Sequence, residues 1–147
     1  MQNTKDKYYK YKMKYLKLKL SNMTGGALHN MDLNEPWFSL VKDGYKTIEG
    51  RIYDDKRRII QIGDTITFTN KKGQGEPFSK AVVDLAIWDN SNKKSGKSKF
   101  KDVINWKNYK QLIPTAENEK EAIKVYKDIP GYEEKAKELG IIFIYLE

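Results

Sequence analysis

The sequence predicts a small α+β fold, a mixed β-barrel of about five to six short strands flanked by short helices. Three observations point to it. Alternating stretches of about five residues recur, as in Thr65-Ile66-Thr67-Phe68-Thr69. Helical patterns closed by glycine, at Gly44 and Gly140, stand between them. The chain then closes on an apolar run, Ile141 to Leu146, suited to a central sheet position.

Taken in order, residues 1–28 form a basic leader rich in lysine and tyrosine, read as flexible or partly helical. Wound as a helix, it aligns Lys7, Lys10, Lys14 and Lys17 in a stripe that could follow a nucleic-acid backbone or an anionic membrane surface. A solvated extension would have the same composition. Gly25-Gly26 is a joint. The body, residues 29–147, opens with a strand from His29 to Leu33. A short helix follows, with Asn34 as cap, Pro36 in its first turn, and Trp37, Leu40 and Val41 on one face. Next come the strand Lys46–Arg51, a charged turn over Asp54–Arg58, and the strand Thr65–Thr69. Ala81 to Trp88 reads as a core strand, and Asn90 to Lys99 as a polar loop. Helices are expected over Phe100–Trp106, over Ala116–Lys127 with Thr115 as cap, and over Tyr132–Leu139. Trp88 and Trp106 are read as packing residues.

A chain of 147 residues suits one domain with a real core. It has no cysteine, which excludes disulfides, thiolate metal sites and a cysteine nucleophile. One histidine, His29, makes a histidine metal cage or a Ser-His dyad improbable, and the sequence assigns it no role. No metal or organic cofactor is indicated. No apolar run reaches the roughly 18 residues of a membrane span and no signal peptide is visible, so the expectation is an intracellular protein, not secreted; it is read as a monomer. Of the net charge of +8, residues 1–28 carry seven lysines and Asp6, or +6, which leaves +2 for the body. Basicity alone is therefore a weak argument that the body binds nucleic acid.

The charges of Lys46-Thr47-Ile48-Glu49-Gly50-Arg51 carry the functional expectation. In a regular strand Lys46 would lie on the face opposite Glu49 and Arg51, unless a bulge at Gly50 altered the register. Lys46 and Arg51 can meet phosphate, Glu49 can accept from the amino edge of a base, and Trp37 could stack on a ring or anchor the helix. A solvated, salt-bridged strand face would use the same residues. Arg57 and Arg58 could track a backbone or be simply hydrated; Lys93, Lys94, Lys97, Lys99 and Lys101 leave the same alternatives open.

Pro36-Trp37, Gly44-Tyr45-Lys46-Thr47-Ile48-Glu49-Gly50-Arg51 and Ile62-Gly63-Asp64-Thr65-Ile66 resemble the ASCH domain, a branch of the PUA-like β-barrels. Glu121-Ala122, Tyr126, Pro130-Gly131-Tyr132 and Gly140-Ile141 continue the likeness, which spans residues 29–147. The resemblance implies a PUA-like barrel with a cleft for RNA or a modified nucleoside or nucleotide, with Lys46, Thr47, Glu49, Arg51 and Trp37 as ligand-binding candidates. It also implies an alternative, since some members hydrolyse N4-acetylcytidine with a lysine, a threonine three residues on, and a later glutamate, and ribonuclease activity is reported for another. Lys46 fits the lysine, but Glu49 stands in the threonine position; the motif does not place the later acid, and Glu117 and Glu119 lie in a plausible neighbourhood for it. Lys46 and Glu49 would then be the catalytic pair. Finally, Tyr9-Lys10-Tyr11-Lys12, Lys14-Tyr15-Leu16-Lys17-Leu18-Lys19 and Met23-Thr24-Gly25-Gly26-Ala27 resemble leaders and Gly-Gly-X cleavage sites of giant-virus proteins. That likeness implies a third reading, an interaction protein directed to virions or viral factories, in a virion or host cytoplasm.

Overall fold

The computed structural model describes residues 26–89 and 99–147. Five strands form one sheet: β1 (Leu28–Leu33), β2 (Ile48–Ile52), β3 (Thr65–Asn70), β4 (Phe78–Trp88) and β5 (Ile141–Leu146), in the order β1-β3-β4-β5-β2. Only β1 and β3 run parallel; the remaining pairs are antiparallel. The 11-residue β4 makes the sheet curl. Its first part, Phe78–Ala81, pairs with β3, and Val82–Trp88 pairs with β5, with a register shift between Val82 and Asp84. A bulge of this kind bends a strand and increases its twist. The curl leaves β1 and β2 as its two edges, and Arg51 Nη2 on β2 donates to the Asp32 carbonyl on β1 across the seam at 2.9 Å. The result is a curled half-barrel within an α+β fold, as the sequence predicts.

The alternation of β5 divides the core. Ile141 and Phe143 pack with Ile48, Ile52, Phe100 and Tyr126 on the side covered by helices. Ile142, Ile144 and Leu146 pack with Met31, Phe38, Ile66, Phe68 and Val82 inside the curl. Six short helices complete the described residues: α1 (Trp37–Lys42), α2 (Asp55–Arg58), α3 (Phe100–Val103), α4 (Tyr109–Leu112), α5 (Glu119–Lys127) and α6 (Tyr132–Leu139). Gly44 ends α1 at φ 82°, and Gly140 ends α6 where a Cβ would lie 2.3 Å from the Trp88 carbonyl oxygen.

Several local expectations are corrected. The first helix begins at Trp37, and Glu35 rather than Asn34 supplies its N-terminal acceptor, taking the Ser39 N–H at 2.9 Å. Phe38 and Val41, not Trp37 and Leu40, are its fully buried residues. Asp54–Arg58 is more than a turn: Asp54 accepts from the Arg57 N–H and starts the one-turn α2. The helix expected through Trp106 stops at Val103, because Ile104 turns extended at ψ 127°. Trp106 is consequently 70% exposed and packs in no core. The next expected helix starts at Glu119 with Asn118 as its cap, three residues beyond Thr115. Lys7, Lys10, Lys14, Lys17 and Lys93, Lys94 and Lys97 lie outside the described residues.

Candidate functional site

The seam between β1 and β2 holds a cleft of about 220 Å³. Trp37 from α1, Lys46 before β2, Glu49 and Arg51 on β2, and Tyr126 and Tyr132 from α5 and α6 line it. The volume falls below the roughly 300 Å³ at which pockets for drug-sized molecules begin, so it suits one ring system.

Lys46 does not sit where strand alternation places it. The regular strand starts at Ile48, and the Lys46 N–H donates to the Leu40 carbonyl at 2.9 Å as the chain leaves α1. The side chain thereby turns to the same side as Glu49, with Nζ 3.9 Å from Glu49 Oε1. The Lys46 ammonium is 2% exposed. It donates to the Ile48 carbonyl at 2.7 Å and to the Leu112 carbonyl, and lies 5.7 Å from the centre of the Trp37 ring. Two of its protons are therefore committed to backbone carbonyls, and it fastens α4 to β2. Burial pushes the Lys46 amine below its ordinary value; the Glu49 charge opposes this and Arg51 adds to it.

Glu49 is the reverse case. Its carboxylate is 5% exposed, and Oε1 lies 3.9 Å from both Lys46 Nζ and Arg51 Nε. Those are ion-pair separations, beyond hydrogen-bond length. Among the described residues Oε2 is buried without a hydrogen-bond partner. The buried Tyr126 hydroxyl makes no well-formed hydrogen bond among them either; it rests against Gly50, whose backbone comes close enough to oppose part of the rise in the phenol's value. Gly50 is required here, because a Cβ at this position would stand 2.8 Å from Tyr126 Oη. Burial, then the Glu49 charge, raises the Tyr126 phenol well above its usual value. Burial also raises Tyr132, which Arg51 opposes. For Arg51, burial works against the charge, but Glu49 and the two tyrosines outweigh it and raise its value.

The other expected residues divide. Thr47 is absent from the cleft lining: its N–H donates to the Gln111 carbonyl at 3.2 Å and its carbonyl accepts from Leu146 at 2.8 Å. Glu117 and Glu119 do not line it either. Arg57 pairs with Asp54 at 2.6 Å and borders a second cleft. Arg58 bonds Asp89 and the Leu139 carbonyl, each at 3.3 Å, and lies 4.4 Å from the Tyr53 ring centre. His29, without a role in the sequence, holds Asp64 at 2.7 Å, and Asp64 also accepts from the Ala27 and Gln61 amides. Sequence reasoning missed Tyr126 as a site residue, naming it only among the residues that carry the family likeness. The signal was Gly50, since a glycine inside a strand marks close approach of another group.

Among the described residues, no cluster of His, Cys, Asp or Glu could hold a metal ion, and no helix is long and apolar enough to cross a membrane.

No curated protein matches the chain. Solved structures resemble it, two of them as follows. The crystal structure of hypothetical protein PH0355 is 31% identical, with a TM-score of 0.65, covering 82% of this chain and 97% of that one. The solution NMR structure of protein PF0455 from Pyrococcus furiosus is 27% identical, with a TM-score of 0.57, covering 82% and 96%. Neither name carries a ligand or an activity. The ASCH domain model matches residues 31–143, a span that holds all five strands but the ends of β1 and β5 together with every residue of the seam cleft. The chain belongs to the ASCH domain family.

Proposed function

We propose that this protein is a binding module for RNA or a modified nucleoside, and that one base enters the seam cleft. The observation that carries this reading is the Glu49 carboxylate, buried between two cations with one oxygen unpartnered and no hydrogen bond fixing the other. Unmet buried acceptors are costly and rare, and one in a cleft selects a ligand that brings a donor. No hydrogen bond among the described residues fixes the carboxylate, and a rotation about its last bond would present the free oxygen to a ring. The Tyr126 hydroxyl beside it adds a donor. An amino group next to a ring acceptor, as on cytosine, matches that pair, and Trp37 provides an aromatic wall. Membership of a family often found in RNA binding supports the same reading.

Hydrolysis of a modified cytidine or of RNA is the second reading, with Lys46 as base and Glu49 as its partner. It draws on the lowered Lys46 value: a neutral amine could donate to the Ile48 and Leu112 carbonyls and keep its lone pair free. Against it, Glu49 occupies the position of the family's threonine and favours the charged lysine. The likeness of residues 1–28 to giant-virus leaders, and the targeting role it implies, rests on sequence alone.

The test is binding of a panel of RNAs and modified nucleosides to the full chain and to Glu49→Gln, with products followed by mass spectrometry. Binding without turnover, weakened about tenfold or more in the variant, is the expected result. Turnover of N4-acetylcytidine or RNA, lost in the variant, would replace the binding module with an enzyme.

A further inference from the structure

The seam cleft opens beside a second one of about 460 Å³, and the two share Asp32, Arg51 and Lys71. Their charge balance differs, since Lys46, Arg51 and Lys71 are offset by Glu49 and Asp32 in the seam cleft. The seam cleft has a free carboxylate oxygen at its base, whereas the neighbour is bordered by Arg51, Lys56, Arg57 and Lys71 with Asp32 as its one acid. Arg57 is paired with Asp54, and Arg51 is held by Glu49 and the Asp32 carbonyl. His29, also on this wall, is engaged with Asp64. Lys56 and Lys71 have no ion pair among the described residues, and both are exposed. Meanwhile Lys46, the sequence's candidate for phosphate, is buried and committed to two carbonyls and Glu49.

We infer that the second cleft is a phosphate subsite, so that the preferred ligand is a nucleoside phosphate or a nucleotide within RNA rather than a free nucleoside. This rests on the reading that a base occupies the seam cleft. A phosphate on the shelf is met by the two unpaired ammonium groups of Lys56 and Lys71, and Arg51 stands at the boundary, facing both parts of the ligand. The second cleft has the larger excess of positive charge, whereas Glu49 and Asp32 offset Lys46, Arg51 and Lys71 in the seam cleft, and this difference favours one end of the ligand for each cleft.

The experiment compares cytidine with its 5′- and 3′-monophosphates on the full chain by calorimetry at low salt. The tighter monophosphate is expected to bind about tenfold better than cytidine, the scale of a charge-assisted contact. In Lys56→Glu/Lys71→Glu that ratio falls to about one. In Lys107→Glu/Lys110→Glu, where neither lysine lines either of these two clefts, it stays near ten. A ratio near one in the unaltered protein, or an equal fall in both variants, would overturn the subsite. Equal binding of inorganic phosphate and the monophosphate, with cytidine silent, would overturn the base-cleft reading and with it the nucleotide as ligand. Cytidine binding with no gain from phosphate would remove the subsite alone.

Discussion

Strand β2 carries a charged group at each end, and the two differ in what they leave undone. After its C-terminal end, Asp54 holds Arg57 at 2.6 Å, and Arg58 is spread over Asp89, the Leu139 carbonyl and the Tyr53 ring. These groups are partly hydrated and their hydrogen bonds are made. Just before β2 and along it, Lys46 and Glu49 are buried and Arg51 is half-buried, and the carboxylate between two cations has no hydrogen bond among the described residues. On paper both are runs of charge suited to nucleic acid. Charge with its bonds satisfied is structure, whereas buried charge with unmet capacity is an offer to a ligand.

The sharpest way to break the contrast is Lys46→Ala. It strips the counter-charge from Glu49 and leaves the Ile48 and Leu112 carbonyls without their donor, so it should cost about 3–5 kcal/mol in urea denaturation. A cost under about 1 kcal/mol would mean that the buried group is as dispensable as the surface one. Gly50→Ala comes next, at about 1–3 kcal/mol, because its Cβ drives into Tyr126; the loss should be smaller in a Tyr126→Phe background.

Tyr126→Phe by itself should change stability by less than about 1 kcal/mol, since the hydroxyl it removes has at most a strained contact with the Gly50 backbone. It should also alter the alkaline limb. The phenol's folded value is raised above 10.0, so its contribution is complete below pH 10 and is lost as pH rises through the folded value. Lys46, lowered from 10.5, acts in the opposite sense, its penalty easing as pH climbs toward 10.5. Thermal melts from pH 8 to 11 should therefore show the variant holding stability above pH 10 where the unaltered protein loses it. The smallest effect belongs to Arg58→Ala, about 0–1 kcal/mol with ligand binding unchanged.

How much of this was legible in the sequence depended on range. The strands were readable because each alternates locally, and β5 announced its central place by being apolar on both faces. Trp106 was misjudged because helical spacing could not show that Ile104 turns out of the helix. The grouping of Lys46, Glu49 and Arg51 was suspected, but its geometry was not. Strand alternation would have separated them, and only the bond from the Lys46 amide to Leu40 sends the lysine inward. Tyr126 was hidden for the same reason, since it lies 77 residues from Glu49 and meets it only through the packing of α5 over Gly50. Unmet hydrogen bonds are a property of three-dimensional surroundings, and no motif encodes them.

The central claim, that Glu49 awaits a donor from a base, is tested most directly by titrating the full chain with cytidine and with N4,N4-dimethylcytidine, which lacks the N–H. The account predicts that cytidine binds at least about tenfold tighter, and that Glu49→Gln shrinks the difference. Equal affinity for the two, unaffected by the substitution, would contradict it.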